Sequence, residues 1–120
     1  MALLNILLVE DDTAVRDVLI RILSEKGFGV LTAGDAYEAI RILADRHVDV
    51  LFADIVLPGG IDGVQLARQA RAMRPGIRVL FQTGYAQRAS EREAFRLGRV
   101  LFKPLRQPDI AQAIERLLAA

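Results

Sequence analysis

"LNILLVEDD", residues 4–12, governs how the rest of the chain is read. Its first six residues form an apolar run broken only by Asn5, the pattern of a strand buried on both faces. Such strands belong to parallel sheets covered by helices on each side. The run then stops at three consecutive carboxylates, Glu10, Asp11 and Asp12. Neighbouring like charges disfavour one another's ionised form. Three such residues are either solvated at the start of a helix, where the dipole favours anions, or gathered around something positive. The stretch alone leaves both readings open.

Working outward, "FGVLTA" at 28–33, "VDVLFAD" at 48–54, "IRVLFQT" at 77–83 and "RVLF" at 99–102 read as further strands. Helical spacing fills the intervals. Val15, Val18, Leu19, Ile22 and Leu23 precede a stop at Gly27, and Ile40 and Leu43 follow a capping pair, Asp35 and Glu38. "VQLARQARAM" follows the turn-rich "LPGGIDG" and stops at Arg74-Pro75-Gly76. Residues 87–97 make a fourth helix, and "QPDIAQAIERLLAA" a fifth with Pro108 suited to its first turn. Five strands alternating with five helices predict a single parallel, doubly wound α/β domain over residues 1–120. No repeat, linker or low-complexity tract interrupts it.

Composition narrows the function classes. With 16 basic and 15 acidic residues, the net charge of +1 gives no case for direct nucleic-acid binding. The absence of cysteine excludes disulfides, zinc thiolate sites and cysteine nucleophiles. The first apolar run is too short to span a bilayer and has no basic region before it, so a cytoplasmic protein without membrane contact is expected. Basic residues are nearly all arginine. Lys26 and Lys103 are the only lysines, which makes each more informative.

Ligands of open parallel sheets bind beyond the carboxyl ends of the strands. Strand one ends at Glu10 and Asp11, strand three at Asp54 and strand four at Thr83, while strand five runs into Lys103. Only strand two ends blandly, at Ala33. Over essentially its whole length, the chain resembles the receiver domains of two-component response regulators. The resemblance rests on "ILLVEDD", "DVLFADIVLP", "IDG" at 61–63, "TG" at 83–84 and "KP" at 103–104. It implies the flavodoxin-like strand order 2-1-3-4-5.

It also implies roles. Asp54 matches the phosphoacceptor, Thr83 the hydroxyl that follows the phosphoryl group, and Lys103 its cationic partner. Mg²⁺ (or Mn²⁺) would be held by Asp11, Asp54 and the Val56 carbonyl, with Glu10 acting mostly through water. Asp12 would fall outside the pocket and begin the next helix. The Lys103–Pro104 bond is the candidate cis peptide. A sensor histidine kinase or His-phosphotransfer protein would supply the phosphoryl group, and an output partner would read the result. The chain would catalyse only its own phosphorylation and dephosphorylation. Met1 suits a free-standing or N-terminal receiver.

Three rivals fit less well. A haloacid-dehalogenase-type phosphatase needs an Asp-x-Asp pattern where this chain has Glu10 and Asp12. A flavodoxin-like nucleotide binder needs a phosphate loop after strand one, where these carboxylates would repel the ligand. A degenerate receiver used only for docking has no need of Asp54, Thr83 and Lys103 together. His47, Phe52 and Phe81 read as surface or core residues, and the arginines at 88, 92, 96 and 99 as a solvated face.

Two departures from the family pattern stand out. The loop after Asp54 carries an extra residue at Gly59–Gly60. Val100 occupies the position, three before the lysine, where many members carry a rotating aromatic. Tyr85, in a "TGYA" stretch shared with a subset of receivers, is then expected to modify the switch.

Overall fold

The computed structural model describes residues 3–84 and 89–119, the side chains of residues 89–91 excepted. Its elements are β1 (Asn5–Val9), α1 (Thr13–Glu25), β2 (Gly29–Ala33), α2 (Ala36–Asp45) and β3 (Val50–Asp54), followed by α3 (Gly63–Met73), β4 (Arg78–Thr83), α4 (Ala89–Leu97), β5 (Arg99–Phe102) and α5 (Gln107–Ala119). The strands lie parallel in the order β2-β1-β3-β4-β5. This is the doubly wound, flavodoxin-like arrangement, and its strand order reverses between β1 and β3. No helix among the described residues is long and apolar enough to cross a membrane.

Alternation along each strand sends successive side chains to opposite faces, so the sheet has two cores. Leu7, Val9, Leu51 and Phe81 pack with Leu43 of α2, and with Leu66 and Ala67 of α3. Ile6, Leu8, Phe52 and Leu80 pack with Leu19 and Leu23 of α1 and Ile110 and Ile114 of α5. The phenylalanines read as core are fully buried.

Helix starts are fixed by short acids. Asp12 accepts from the Ala14 and Val15 N–H groups at 2.9 and 3.2 Å, and Asp35 from the Glu38 N–H at 2.8 Å. Asp62 and Gln65 form a reciprocal capping box that opens α3. Gly63 cannot carry a side chain there, because a Cβ would run into the Asp54 carbonyl. Its N–H donates to the Ile55 carbonyl at 2.8 Å, drawing α3 against the end of β3. The Gly59–Gly60 insertion is accommodated at φ +93° for both residues, a conformation open to glycine.

Four strands begin one or two residues later than the apolar pattern predicts, β1 at Asn5 rather than Leu4 among them. Phe28, Val48 and Ile77 all lie outside the ladder but pack into a core, Val48 and Ile77 buried and Phe28 partly so. Burial made them look like strand, although hydrogen bonding excludes them. The start of α4 near Gln87 and Arg88 lies outside the described residues.

Candidate functional site

A cavity of about 700 Å³ opens at the carboxyl edge of the sheet, lined by Glu10, Asp11, Asp12, Asp54, Val56, Leu57, Pro58, Gly84 and Lys103. The loop after β1 and the last residue of β3 place the acids there, and the residue that follows β5 is the lysine. Asp54 is 5% exposed and Glu10 1% exposed, so neither carboxylate is well solvated. Lys103 Nζ stands 2.5 Å from Asp54 Oδ2 and 3.7 Å from Glu10 Oε1. The other Asp54 oxygen accepts from the Val56 N–H at 2.9 Å.

The electrostatics follow from that packing. Burial, and after it the Asp54 charge, push the Glu10 carboxyl up from 4.5 to about 7 against the lowering pull of Lys103. Burial also opposes the Lys103 charge. The hydrogen bond that Lys103 donates to Asp54 and the charges of Asp54, Glu10 and Asp11 outweigh it and raise the lysine's pKa. The site therefore holds a firmly protonated lysine beside an excess of negative charge.

Thr83 is fully buried at the end of β4, and its carbonyl accepts from the Lys103 N–H at 2.8 Å. The Lys103–Pro104 bond is cis. Asp12 borders the cavity, a correction to its expected place outside it, yet its Oδ1 is engaged in the α1 cap. Val100 is buried in the core beside Phe81. The exposed aromatic nearby is instead Phe102, whose ring centroid lies 6.4 Å from that of Phe95. Tyr85, named above as a switch modifier, lies outside the described residues.

Sequence reasoning missed Gln82. Fully buried on β4, it donates from Nε2 to Glu10 Oε2 at 3.0 Å, while its Oε1 has no partner among the described residues. A polar residue one place before Thr83, inside an otherwise apolar strand, was the only signal.

The donor set also narrows the metal expectation. Among the described residues, no group of three Asp, Glu, His or Cys side chains stands together so as to hold a metal ion. Lys103 and the Val56 N–H already occupy the Asp54 oxygens. Mg²⁺, however, uses one or two carboxylates and retains several waters rather than requiring a protein cage. An all-oxygen set facing one cavity, with a Glu10 carboxylate disfavoured by burial and by the Asp54 charge, fits a hard cation.

A doubly wound, flavodoxin-like sheet with acids, a hydroxyl and a lysine at its carboxyl edge is the arrangement of a receiver-type domain. The response regulator receiver domain model matches residues 6–115, and the chain belongs to that family. It is 35% identical to the response regulator receiver protein CpdR of Brucella abortus, over 97% of this chain and 98% of that protein. It is 38% identical to a segment of the sensor kinase CckA of the same organism, over 73% of this chain and 9% of the kinase. A CheY-like receiver domain from Methanospirillum hungatei superposes with a TM-score of 0.91 at 30% identity, covering 98% and 95% of the two chains.

Proposed function

We propose that this receiver accepts a phosphoryl group on Asp54 from a phosphohistidine on a sensor kinase or His-phosphotransfer protein. The observation that carries this reading is the Asp54–Lys103 contact of 2.5 Å at the floor of an open acidic cavity. An Asp54 oxygen attacks phosphorus, the phosphorus–nitrogen bond of the donor breaks, and an acyl phosphate forms. Lys103, now facing an acyl group that has lost its charge, follows the charge onto the phosphoryl oxygens. Thr83 offers its hydroxyl to the same group from the neighbouring strand end.

Mg²⁺ or Mn²⁺, held by Asp11, Asp54 and the Val56 carbonyl with Glu10 behind water, would neutralise charge on the incoming phosphoryl group. The resulting change is read by a partner, so the chain works as a switch whose only catalysis is on itself. The phosphatase alternative loses ground because Asp12, the second acid its pattern would use, is engaged in capping α1.

Intact-mass analysis with a small phosphodonor tests the proposal. One phosphoryl adduct should form, require the divalent ion and disappear in Asp54→Asn. An adduct that persists in Asp54→Asn moves the acceptor elsewhere, and no adduct in the parent chain makes this a docking module only.

A further inference from the structure

The opposite end of the sheet holds a second charged cavity that the phosphoacceptor chemistry leaves unused. Arg71 of α3, Arg78 opening β4, Arg99 opening β5 and Arg116 of α5 line a hollow of about 350 Å³ together with apolar residues, and no Asp or Glu among the described residues lines it. It shares no residue with the acidic cavity. Arg78 and Thr83 stand at opposite ends of β4, roughly 16 Å apart at a rise of about 3.3 Å per residue.

Part of this charge has a structural use. An Arg71 Nη donates to the Leu97 carbonyl at 2.8 Å, and Arg78 Nε to the Leu117 carbonyl at 2.9 Å. Each arginine thus satisfies a carbonyl near a helix C-terminus, α4 in one case and α5 in the other. Two helix ends together carry about one unit of negative charge, against four guanidiniums. Capping also uses one N–H of the five on each side chain. Arg71 Nε is buried and donates to nothing among the described residues. Arg99 and Arg116 are exposed and make no ion pair among the described residues.

The geometry points to a binding site for a small phosphate-bearing anion, held among Arg71, Arg78, Arg99 and Arg116 at the amino-terminal edge of β4 and β5. Guanidinium forks match phosphate oxygens two at a time, and the surplus of positive charge exceeds what a single carboxylate would neutralise. The volume lies at the small end of ligand cavities. The apolar residues Ile77, Val79 and Leu97 complete its lining, and beside them the less exposed Arg71 and Arg78 contacts are strengthened most.

Titrating pyrophosphate into the whole chain in Mg²⁺-free, low-salt buffer, with backbone amides followed by NMR, tests the site. Saturable shifts at Gly98, Arg99 and Leu117 are expected, with Gly84 and Lys103 unmoved. The double variant Arg99→Gln, Arg116→Gln should weaken binding by about tenfold or more, since it removes two of the four charges. Both side chains are exposed and neither makes a cap, so the melting temperature should hold. Shifts that never saturate, that survive in the double variant, or that centre on Lys103 would overturn the site.

Discussion

Two polar clusters, one at each end of the sheet, handle their groups in opposite ways. At the amino-terminal end, Asp49 Oδ2 accepts from the Asn5 N–H at 2.7 Å, and its Oδ1 meets His47 Nε2 at 2.8 Å. The Asn5 amide closes the cluster by donating to the His47 carbonyl at 3.0 Å. His47 is exposed, and both Asp49 oxygens have partners. At the carboxyl end stand Glu10, Asp54, Gln82 and Thr83, the buried polar residues among those described. There Glu10 is pushed toward neutrality, and Gln82 keeps an unpartnered oxygen. A cluster whose groups satisfy one another holds chain segments together. One that leaves charge and hydrogen bonding unbalanced is ready for a ligand.

The contrast is broken most severely by removing Lys103, the only cation of the carboxyl-end cluster among the described residues. Lys103→Met leaves Asp54 and Glu10 facing each other with little solvent. In Mg²⁺-free buffer at pH 8, denaturant unfolding should show a loss of about 3 kcal/mol, the scale for stranding a buried charge. Added Mg²⁺ should restore part of it, because an ion bound only by the folded state stabilises that state. No loss in Lys103→Met would mean that the acids are better solvated than their burial indicates.

Glu10 sharpens the same point through pH. Its folded pKa of about 7 lies above the ordinary 4.5, so the folded state keeps the proton longer than the unfolded chain does. This contribution is fully present below pH 4.5 and is lost as pH rises to about 7. The loss reaches at most about 3 kcal/mol, at 1.36 kcal/mol per pKa unit. Glu10→Gln should flatten that slope in Mg²⁺-free unfolding measurements. A slope unchanged in the variant would assign it to another group.

Gln82→Leu should cost less, about 1 kcal/mol at pH 8. The Glu10 carboxylate loses its amide donor, but the unpartnered Oε1 goes with it. At pH 5, where Glu10 is protonated, the cost should shrink. Equal losses at both pH values would make Gln82 a packing residue with no hold on the acid.

What the sequence disclosed follows the same physics. Asp54 and Lys103 were legible because each directly ends an apolar run, and the carboxyl edge of a parallel sheet collects whatever follows such runs. Gln82 was not, because its partner Glu10 lies 72 residues away and its meaning depends on that contact. The exposure of Phe102 was not legible either, although its strand was. Its run is apolar, but β5 is an edge strand, and the ring stands half exposed against Phe95. The Asp62–Gln65 box was local enough to read, yet the glycines before it drew attention to the turn instead.

The smallest effect belongs to the closed cluster. His47→Ala removes an imidazole that is 74% exposed and leaves the Asn5 contacts to Asp49 and to the residue-47 carbonyl in place. Exposed ion pairs contribute about 0–1 kcal/mol, because water competes for both partners and ordering them costs side-chain entropy. A change of about 0.5 kcal/mol or less is therefore expected, insensitive to Mg²⁺. That insensitivity is the useful readout, since every substitution at the carboxyl end should change how far Mg²⁺ stabilises the fold. If His47→Ala altered the Mg²⁺ response, the two ends of the sheet would be coupled through β1 and β3, and the division drawn between them would fail.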